Sequence, residues 1–320
     1  MDAPTRALAP GLTVRLEAAS GETMGLAHFN PHALIAARLI AREPVQMVGQ
    51  AAGRDLFAAH LKRALALREL LYPGGCYRLV HAEADGLPGL IVDRFARAAV
   101  IQANTAGMDR SLPEILAALD LVLAPEIVVV RNDAPSRALE GLASEIRVVR
   151  GTLDGAVELV ENGARYLADL ERGQKTGWFY DQRDNRAALA GLAGGARVLD
   201  VYAYGGGFAI LCAIKGAAEV VALDRSEPAL ELAARAAALN GVAARCRFQR
   251  AEALAELERR ASTAERFDIV VVDPPAFVKS RKDLAVGLRG YRKLARLASR
   301  LVAPGGFLFM ASCSHNVDRP

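Results

Sequence analysis

Two short segments near the end of the chain carry side chains that could do chemistry on a planar base. Asp273-Pro274-Pro275-Ala276-Phe277 follows one apolar run, and Cys313 follows the next one, between two serines. Prolines fix φ and remove backbone donors, so we predict a rigid loop whose carbonyls point into a cleft, with Phe277 as a stacking face. An ordinary proline turn and a small buried cysteine are the plainer interpretations of the same residues.

A cysteine beside such a loop suits one reaction in particular. Carbon 5 of cytosine is a poor nucleophile, and addition of a thiolate at carbon 6 makes it enamine-like, so that it can take a methyl group from a sulfonium. We therefore predict Cys313 as a covalent catalyst and Asp273 as the group that holds or protonates the base edge. Cys76, Cys212 and Cys246 fall within or beside predicted helices and strands, and we interpret them as structural.

A glycine cluster after an apolar strand predicts a ligand-binding turn. The strand that contains Asp200 is followed by Gly205, Gly206 and Gly207, where backbone can approach a ligand without Cβ atoms. A dinucleotide fingerprint needs a further glycine where Ile210 stands, and the lysine of a P-loop is missing. An acid followed by glycines suits S-adenosylmethionine, whose ammonium group needs a carboxylate. A purely structural turn is the alternative.

Two further acids continue this pattern. Asp224 ends the next predicted strand, where a carboxylate can accept both hydroxyls of a ribose. Because NAD is held in the same way, Asp224 indicates a ribose rather than a particular cofactor. Glu252 follows the third strand and is placed to face an adenine, although carboxylates are common in surface loops.

The elements that must position these residues alternate regularly after Asp181. Strands, most of them apolar, are predicted at residues 198–201, 220–223, 247–249, 269–272 and 307–311. Helices are predicted at residues 186–192, 207–214 and 288–301, and another starts after Ser226 and ends at Asn240-Gly241. Continuously apolar strands that alternate with helices predict a parallel sheet covered on both faces, with the ligand at the carboxyl ends of the strands. The fold class is therefore α/β, with a Rossmann-like domain.

The first half of the chain predicts smaller elements of mixed type. Short strands precede Glu43-Pro44, one of them over residues 34–40, and a helix spans residues 56–71. A small α/β domain is predicted from strands at 77–80, 90–92, 98–102 and 127–130 and a helix at 112–119. Asn162-Gly163 is the strongest hairpin signal in the chain.

Composition excludes several classes of protein. The chain has 320 residues, of which 52% are hydrophobic and 24% charged, so it can bury a core and is not disordered. It has no apolar run of about 18 residues, no secretory signal, and four scattered cysteines without a zinc or disulfide pattern. We expect a cytoplasmic protein that contacts no membrane and binds no metal, with a homodimer left open.

Positive charge is concentrated in one segment, although the net charge is only +4. Between residues 279 and 300, Asp283 is the single acid among the basic residues Lys279, Arg281, Lys282, Arg289, Arg292, Lys293, Arg296 and Arg300. A solvated helix face and a phosphate-binding patch both explain this run. We take Lys279, Arg281 and Lys282, with Pro275 and Phe277, as candidate substrate contacts.

Taken together, these segments resemble the bacterial class I S-adenosylmethionine-dependent rRNA methyltransferases. The resemblance starts at Val14 and includes Tyr77-Arg78-Leu79-Val80, residues 83–90 and the block of residues 173–183, before reaching the glycine turn, the Asp-Pro-Pro-Ala-Phe loop and Ser-Cys-Ser. The Gln-Lys-Thr-Gly and Asp-Gln-Arg parts of that block are its most specific features. The most similar type is the large-subunit rRNA cytosine-5 methyltransferase.

This resemblance implies a domain order, a cofactor and a partner. It implies a PUA-like RNA-binding barrel over residues 1–52, a linker helix with a central α/β domain over 53–165, and the methyltransferase domain over 166–320. It also implies S-adenosylmethionine as cofactor, large-subunit rRNA as partner and a target cytidine that leaves its stack. The implied cofactor contacts are Asp200, Tyr204, Gly205, Gly206, Gly207, Asp224, Arg225, Glu252, Asp273 and Pro274, with Cys313 as nucleophile.

Some features depart from the family pattern. Gly205 replaces the threonine that usually follows the tyrosine of the glycine turn. The opening stretch of the PUA barrel is missing, and the chain ends after the fifth predicted strand where relatives have two more, so we expect a chain shortened at both ends. Methylation of a purine or an exocyclic amine, or RNA binding without catalysis, are the alternative functions.

Overall fold

The computed structural model describes residues 7–42, 53–278, 280–314 and 316–317. The chain divides into two compact units, Met1–Val157 with Asp169–Tyr180, and Glu158–Ala168 with Asp181–Pro320. The backbone thus enters the second unit at a hairpin, returns to the first, and enters the second again at Asp181. The division of the chain into three domains stays a prediction.

Within its described residues, the first unit has a three-stranded and a five-stranded sheet. The antiparallel three-stranded sheet consists of β1 Leu12–Glu17, β2 Thr23–Phe29 and β3 Ala37–Ala41. The five-stranded sheet has the order β4 Cys76–His81, β5 Leu90–Phe95, β6 Ala98–Ala103, β7 Ile127–Asn132 and β8 Glu145–Arg150. Its strands are antiparallel except for the parallel pair β6–β7. The helices are α1 Arg54–Leu71, α2 Ala106–Arg110 and α3 Leu112–Val122.

Apolar spacing accounts for the core of this unit. Helix α1 buries Phe57, Leu61 and Ala64 on one face, because residues three and four apart share a side of a helix. Strand β6 is buried along its whole length. The helix predicted over residues 56–71 is confirmed and begins two residues earlier.

The N-terminal sheet differs from the sequence prediction in one strand. Leu34 and Ile35 are exposed in the loop that precedes β3, which starts only at Ala37. An apolar run alone does not define a strand: the pairing with β2 extends only from Ala37 to Ala41. The PUA-like barrel stays a prediction, and residues 1–6 and 43–52 lie outside the described part of the chain.

Part of the block that carries the family resemblance is anchored in this unit. Thr176 donates a 2.6 Å hydrogen bond to the carboxylate of Asp93, which is fully buried and also paired with Arg78. The hydroxyl of Tyr180 donates to the carbonyl of Arg94 at 2.8 Å. Residues of this block thus hold the returning segment against strand β5.

The second unit contains a two-stranded hairpin and a five-stranded parallel sheet. The hairpin is formed by β9 Val157–Glu161 and β10 Ala164–Ala168, with Asn162 and Gly163 both at positive φ, as a two-residue turn of this kind requires. The sheet has the order β13 Cys246–Arg250, β12 Glu219–Asp224, β11 Arg197–Val201, β14 Phe267–Val272 and β15 Val302–Met310. The helices are α4 Arg183–Ala190, α5 Gly207–Ile214, α6 Glu227–Leu239, α7 Ala253–Ser262 and α8 Leu284–Ser299.

Helices cover this sheet as predicted for a doubly wound α/β domain. Leu257 of α7 and Leu294 of α8 join the core formed by one set of alternate strand residues, such as Leu199 and Val270. Helix α8 begins at Leu284, earlier than predicted, directly after a short 3₁₀ helix that starts with a capping box of Ser280 and Asp283. The described residues include no helix with the length and hydropathy of a membrane span.

A buried histidine makes the first unit sensitive to acid. His28 of β2 is 4% exposed, its Nδ1 has no hydrogen-bond partner among the described residues, and its Nε2 lies 3.3 Å from the Ser111 hydroxyl. Desolvation by burial lowers the pKa of His28 from 6.5 to about 4. The imidazole of His28 is therefore protonated below about pH 6.5 in the unfolded chain, but only below about pH 4 in the folded unit.

We expect the free energy of unfolding to fall as the pH drops from 6.5 to 4, with about 3 kcal/mol of the loss due to His28. Denaturant titrations across this range should show a clearly flatter profile for His28→Gln. The variant of the exposed His32 is the matched control and should keep the wild-type profile. Equal slopes for His28→Gln and wild type would contradict this assignment.

Candidate active site

The parallel sheet brings the loops that carry the predicted site residues to one edge. Val201 at the end of β11 is in register with Leu223 of β12 and Val272 of β14, and Val272 is in register with Met310 of β15. Loops that follow these strands must therefore leave from the same side of the sheet. This edge carries Asp200, Tyr204, Gly205, Gly206, Gly207, Asp224, Arg225, Glu252, Asp273, Pro274, Pro275, Phe277 and Cys313.

The turn after β11 has an unusual backbone. Tyr202, Tyr204 and Gly206 all have positive φ, at 66°, 47° and 76°. For the two tyrosines this conformation costs about 1–2 kcal/mol each, so other contacts must hold it. The Tyr204 N–H donates to Asp224 at 2.9 Å, and the Ala203 N–H donates to the carbonyl of Leu223. The turn is thus tied to the end of the neighbouring strand.

Asp224 joins this turn to the following helix. Its second carboxylate oxygen accepts the backbone N–H of Ser226 at 2.8 Å, and Ser226 in turn caps the start of α6. An ionised carboxylate has about four acceptor positions, so a half-buried Asp224 retains capacity for hydroxyl donors of a ligand. Arg225, the next residue, is exposed.

Asp200 is a carboxyl group kept away from water. It is 1% exposed and accepts the Ala209 N–H of α5 at 3.0 Å. Burial raises the pKa of Asp200 to about 7, an effect to which Asp273 and Asp224 add and which Arg186 opposes. A cation bound at this edge would favour the charged form. The acids and the glycine backbone therefore fit a ligand with an ammonium group and a ribose.

Glu252 and Tyr202 lie at the same edge. Glu252 is exposed and caps α7, because its carboxylate accepts the Ala255 N–H at 2.9 Å. The pKa of Tyr202 is raised to about 12, mainly by burial and in addition by the charges of Glu252 and Asp224. Tyr202 is thus a neutral phenol beside two of the predicted ligand-binding acids, a residue that the sequence analysis did not single out.

The Asp-Pro-Pro loop lies beside the predicted nucleophile. Pro274 is buried, Pro275 is exposed, and the Pro274 carbonyl lies 3.9 Å from the Sγ of Cys313. Cys313 is exposed, whereas Cys76 and Cys212 are buried.

Cys212 and Cys246 differ from Cys313 because they are less exposed, and burial changes their ionisation. It raises the pKa of Cys212 to about 12 and that of Cys246 to about 11, so both stay protonated at neutral pH. Cys313 is the exposed cysteine of the described residues.

Tyr291 of α8 links the two loops, and the sequence analysis missed it. Its hydroxyl lies 2.8 Å from the Ser314 hydroxyl and accepts the N–H of Phe277 at 3.4 Å. The Ser314 hydroxyl also accepts the Val278 N–H at 3.1 Å. Tyr291 occupies a buried position of α8, where the sequence predicts a core residue. Its hydroxyl is the one sign that it could also form hydrogen bonds.

The Phe277 ring packs on this network. Its centroid lies 4.6 Å from that of Tyr291, so a part of the predicted stacking surface is used within the protein. A Cβ atom at Gly287 would lie 2.3 Å from the Val278 side chain, and one at Gly290 would lie 3.1 Å from the Phe277 ring. Helix α8 therefore needs glycine at position 287 to let the loop approach this closely.

The basic segment is largely solvated. Arg281 and Lys282 are exposed in a short 3₁₀ helix, and Lys293 pairs with Glu258 at 2.7 Å. The exposed residues of α8 and its C-terminus include Arg289, Arg292, Arg296 and Arg300. Lys279 lies outside the described residues.

We expect Tyr291→Phe to lower the free energy of unfolding by about 1–2 kcal/mol, because it removes the hydroxyl that joins Ser314 to the Phe277 backbone. Urea titration measures this loss. Tyr202→Phe is the control, since no hydrogen bond of the Tyr202 hydroxyl is found among the described residues. A Tyr291→Phe protein as stable as wild type would show that the network does not hold the loops.

Comparison with known sequences places this chain among methyltransferases. The family model described as S-adenosylmethionine-dependent methyltransferase matches residues 127–318. A protein of Erwinia tasmaniensis named ribosomal RNA large subunit methyltransferase I is 34% identical over 310 residues, which cover 95% of this chain and 77% of the relative. A protein of the same name from Aeromonas salmonicida is 39% identical over 265 residues, covering 81% of this chain and 67% of the relative.

Solved structures share the fold. A protein from Streptococcus mutans described as a SAM-dependent methyltransferase superposes with a TM-score of 0.79 at 20% identity, covering 97% of this chain and 79% of that chain. A second structure, described as a methyltransferase complexed with SAH, has a TM-score of 0.80 at 20% identity, covering 96% and 79% of the two chains. On the family match and the identity to curated relatives, this chain belongs to the family of S-adenosylmethionine-dependent methyltransferases and uses S-adenosylmethionine as its cofactor.

Proposed function

We propose that this methyltransferase forms 5-methylcytosine in large-subunit ribosomal RNA through a covalent adduct on Cys313. The observation that carries the proposal is the placement of an exposed cysteine at the strand edge, with its Sγ 3.9 Å from the carbonyl of Pro274. The names of the relatives support ribosomal RNA as the acceptor. The protein would then act in the cytoplasm, where bacterial ribosomes are made.

In this proposal residues at the carboxyl ends of the strands would hold the cofactor. S-adenosylmethionine supplies an electrophilic methyl group when bound. Asp200 would face its ammonium group, Asp224 its ribose and Glu252 its adenine end. The remaining contacts would come from Tyr204, Gly205, Gly206, Gly207, Arg225, Asp273 and Pro274.

Cys313 and Asp273 would carry the chemistry on the base. The Cys313 thiolate adds to carbon 6 of cytosine, and the electron pair moves to carbon 5, which forms the new bond to the methyl carbon as the sulfonium bond breaks. Asp273 holds the base edge and stabilises this addition. A water molecule at the exposed site would then take the proton from carbon 5, and the electron pair of that bond would restore the double bond between carbons 5 and 6 and expel the thiolate, so that the enzyme is regenerated and 5-methylcytosine remains.

The RNA would lie along the positively charged side of this edge. Phe277 and Pro275 would contact the flipped base, while Arg281 and Lys282 would contact phosphates, together with Lys279 outside the described residues. The exposed arginines of α8 extend the same charge. The N-terminal residues 1–52 would form a further RNA-binding domain, followed by the central domain of residues 53–165.

The test is nucleoside mass spectrometry of large-subunit rRNA after incubation with S-adenosylmethionine. We expect new 5-methylcytidine with the wild type, and a loss of at least about 100-fold for Cys313→Ala, because a covalent nucleophile cannot be replaced by its neighbours. Cys246→Ala is the matched control, since this half-buried cysteine lies on β13 away from the loop ends, and it should stay active.

Three results would contradict parts of the proposal. Undiminished methylation by Cys313→Ala would overturn the covalent step and leave methyl transfer in place. A methylated purine or exocyclic amine would show a different acceptor atom. RNA binding without any cofactor-dependent product would favour a protein that binds RNA and does not modify it.

A further inference from the structure

The hairpin β9–β10 lies outside the parallel sheet and yet contacts the start of the helix that follows the glycine turn. Tyr166 of β10 is fully buried, and its hydroxyl donates a 3.1 Å hydrogen bond to the carbonyl of Gly207. Burial raises the pKa of Tyr166, so this hydroxyl keeps its proton and remains a donor. Tyr166 thus fixes the end of the glycine turn at Gly207, although the two residues lie far apart in the chain.

A buried ion pair connects the same hairpin to the same turn. The Glu161 carboxylate of β9, 1% exposed, lies 2.5 Å from the guanidinium of Arg186 on α4, which is 4% exposed. Arg183 lies 3.5 Å from the other carboxylate oxygen. Buried ion pairs seldom add net stability, because desolvation of both charges offsets their attraction. Net stability therefore does not explain why this ion pair lies beside the turn.

Arg186 packs directly on the first residue of α5. A Cβ atom at Gly207 would lie 2.5 Å from its Nε, so glycine is required for this contact. The guanidinium carbon lies 5.7 Å from the centroid of the Phe208 ring. The backbone of the turn at Gly207 is thus held by the Tyr166 hydroxyl and by the Arg186 side chain.

Arg186 also acts on the carboxyl group of Asp200. Its positive charge lowers the pKa of Asp200, as does the hydrogen bond from Ala209. Burial is the largest effect and raises this pKa to about 7, and the charges of Asp273 and Asp224 raise it as well. The charge of Asp200 in turn raises the pKa values of Tyr166, Cys212 and Cys246.

We propose that the hairpin β9–β10 is a positioning device for the cofactor turn, in which Tyr166 and the Glu161–Arg186 pair hold Gly207 and so set the affinity for S-adenosylmethionine. None of the three side chains is required to touch the cofactor. The inference rests on the cofactor-binding part of the proposed function and is independent of the RNA that is methylated.

The first experiment measures binding of S-adenosylhomocysteine to the full chain by isothermal titration calorimetry. Tyr166→Phe removes one buried hydrogen bond to the turn and should weaken binding about fivefold or more. Tyr77→Phe is the control, because it removes the hydroxyl of another buried tyrosine, which accepts a hydrogen bond from Arg94 in the first unit, and should bind like wild type.

A second measurement separates positioning from a general loss of stability. Wild-type affinity should rise with pH through about 7, as Asp200 becomes ionised opposite the ligand ammonium group. The double variant Glu161→Gln with Arg186→Gln removes both buried charges together. Without Arg186 the pKa of Asp200 rises, so the increase in affinity should move to higher pH, an effect that mere loosening of the fold would not produce.

The outcomes are distinguishable. If Tyr166→Phe binds S-adenosylhomocysteine as tightly as wild type, or if the double variant keeps the wild-type pH profile, the positioning role is wrong. If the wild type itself does not bind, the proposed cofactor site is wrong. Should the double variant not fold, Tyr166→Phe alone decides, because it changes only one uncharged hydroxyl.

Discussion

Parallel register is the constraint on which the rest of the second unit depends. The hydrogen bonds of β12, β11, β14 and β15 fix neighbouring residues opposite one another, so these strands end along a single edge. That edge collects groups that are far apart in sequence, from Asp200 to Cys313. Among the described residues, these groups are distributed over several loops, and no single loop carries all of them. The sheet brings these loops together at one edge, so that their residues can act on the same ligand.

The acids at this edge have structural partners as well as proposed ligands. Asp200 accepts the Ala209 N–H, Asp224 accepts the N–H groups of Tyr204 and Ser226, and Glu252 accepts that of Ala255. Helix starts expose such donors, and carboxylates stabilise them. The same bonds fix each carboxylate before a ligand arrives, which lowers the entropic cost of binding. The hydrogen bonds that stabilise these loops and helix starts are therefore the same ones that would position the acids for a ligand.

Sequence patterns predicted the parts of this structure that repeat along the chain. Continuous apolar strands, the glycine turn and Asn162-Gly163 each depend on local residue types, and the structure has the predicted elements at these positions. Tyr166 and Tyr291 were missed because they look like core aromatics until their hydroxyl partners are known. Helix α7 was missed because its charged residues, such as Glu256 and Arg260, pair with each other and hide a short apolar face.

The most direct test of the central claim uses an RNA substrate that carries 5-fluorocytidine. After methyl transfer, carbon 5 has fluorine in place of the proton whose loss would release the enzyme, so the bond from Cys313 to carbon 6 should persist. Mass spectrometry of the digested complex should then find the nucleotide on the Cys313 peptide, and only when S-adenosylmethionine is present. A covalent complex at another cysteine, or none at all with a preparation that methylates ordinary RNA, would contradict the account.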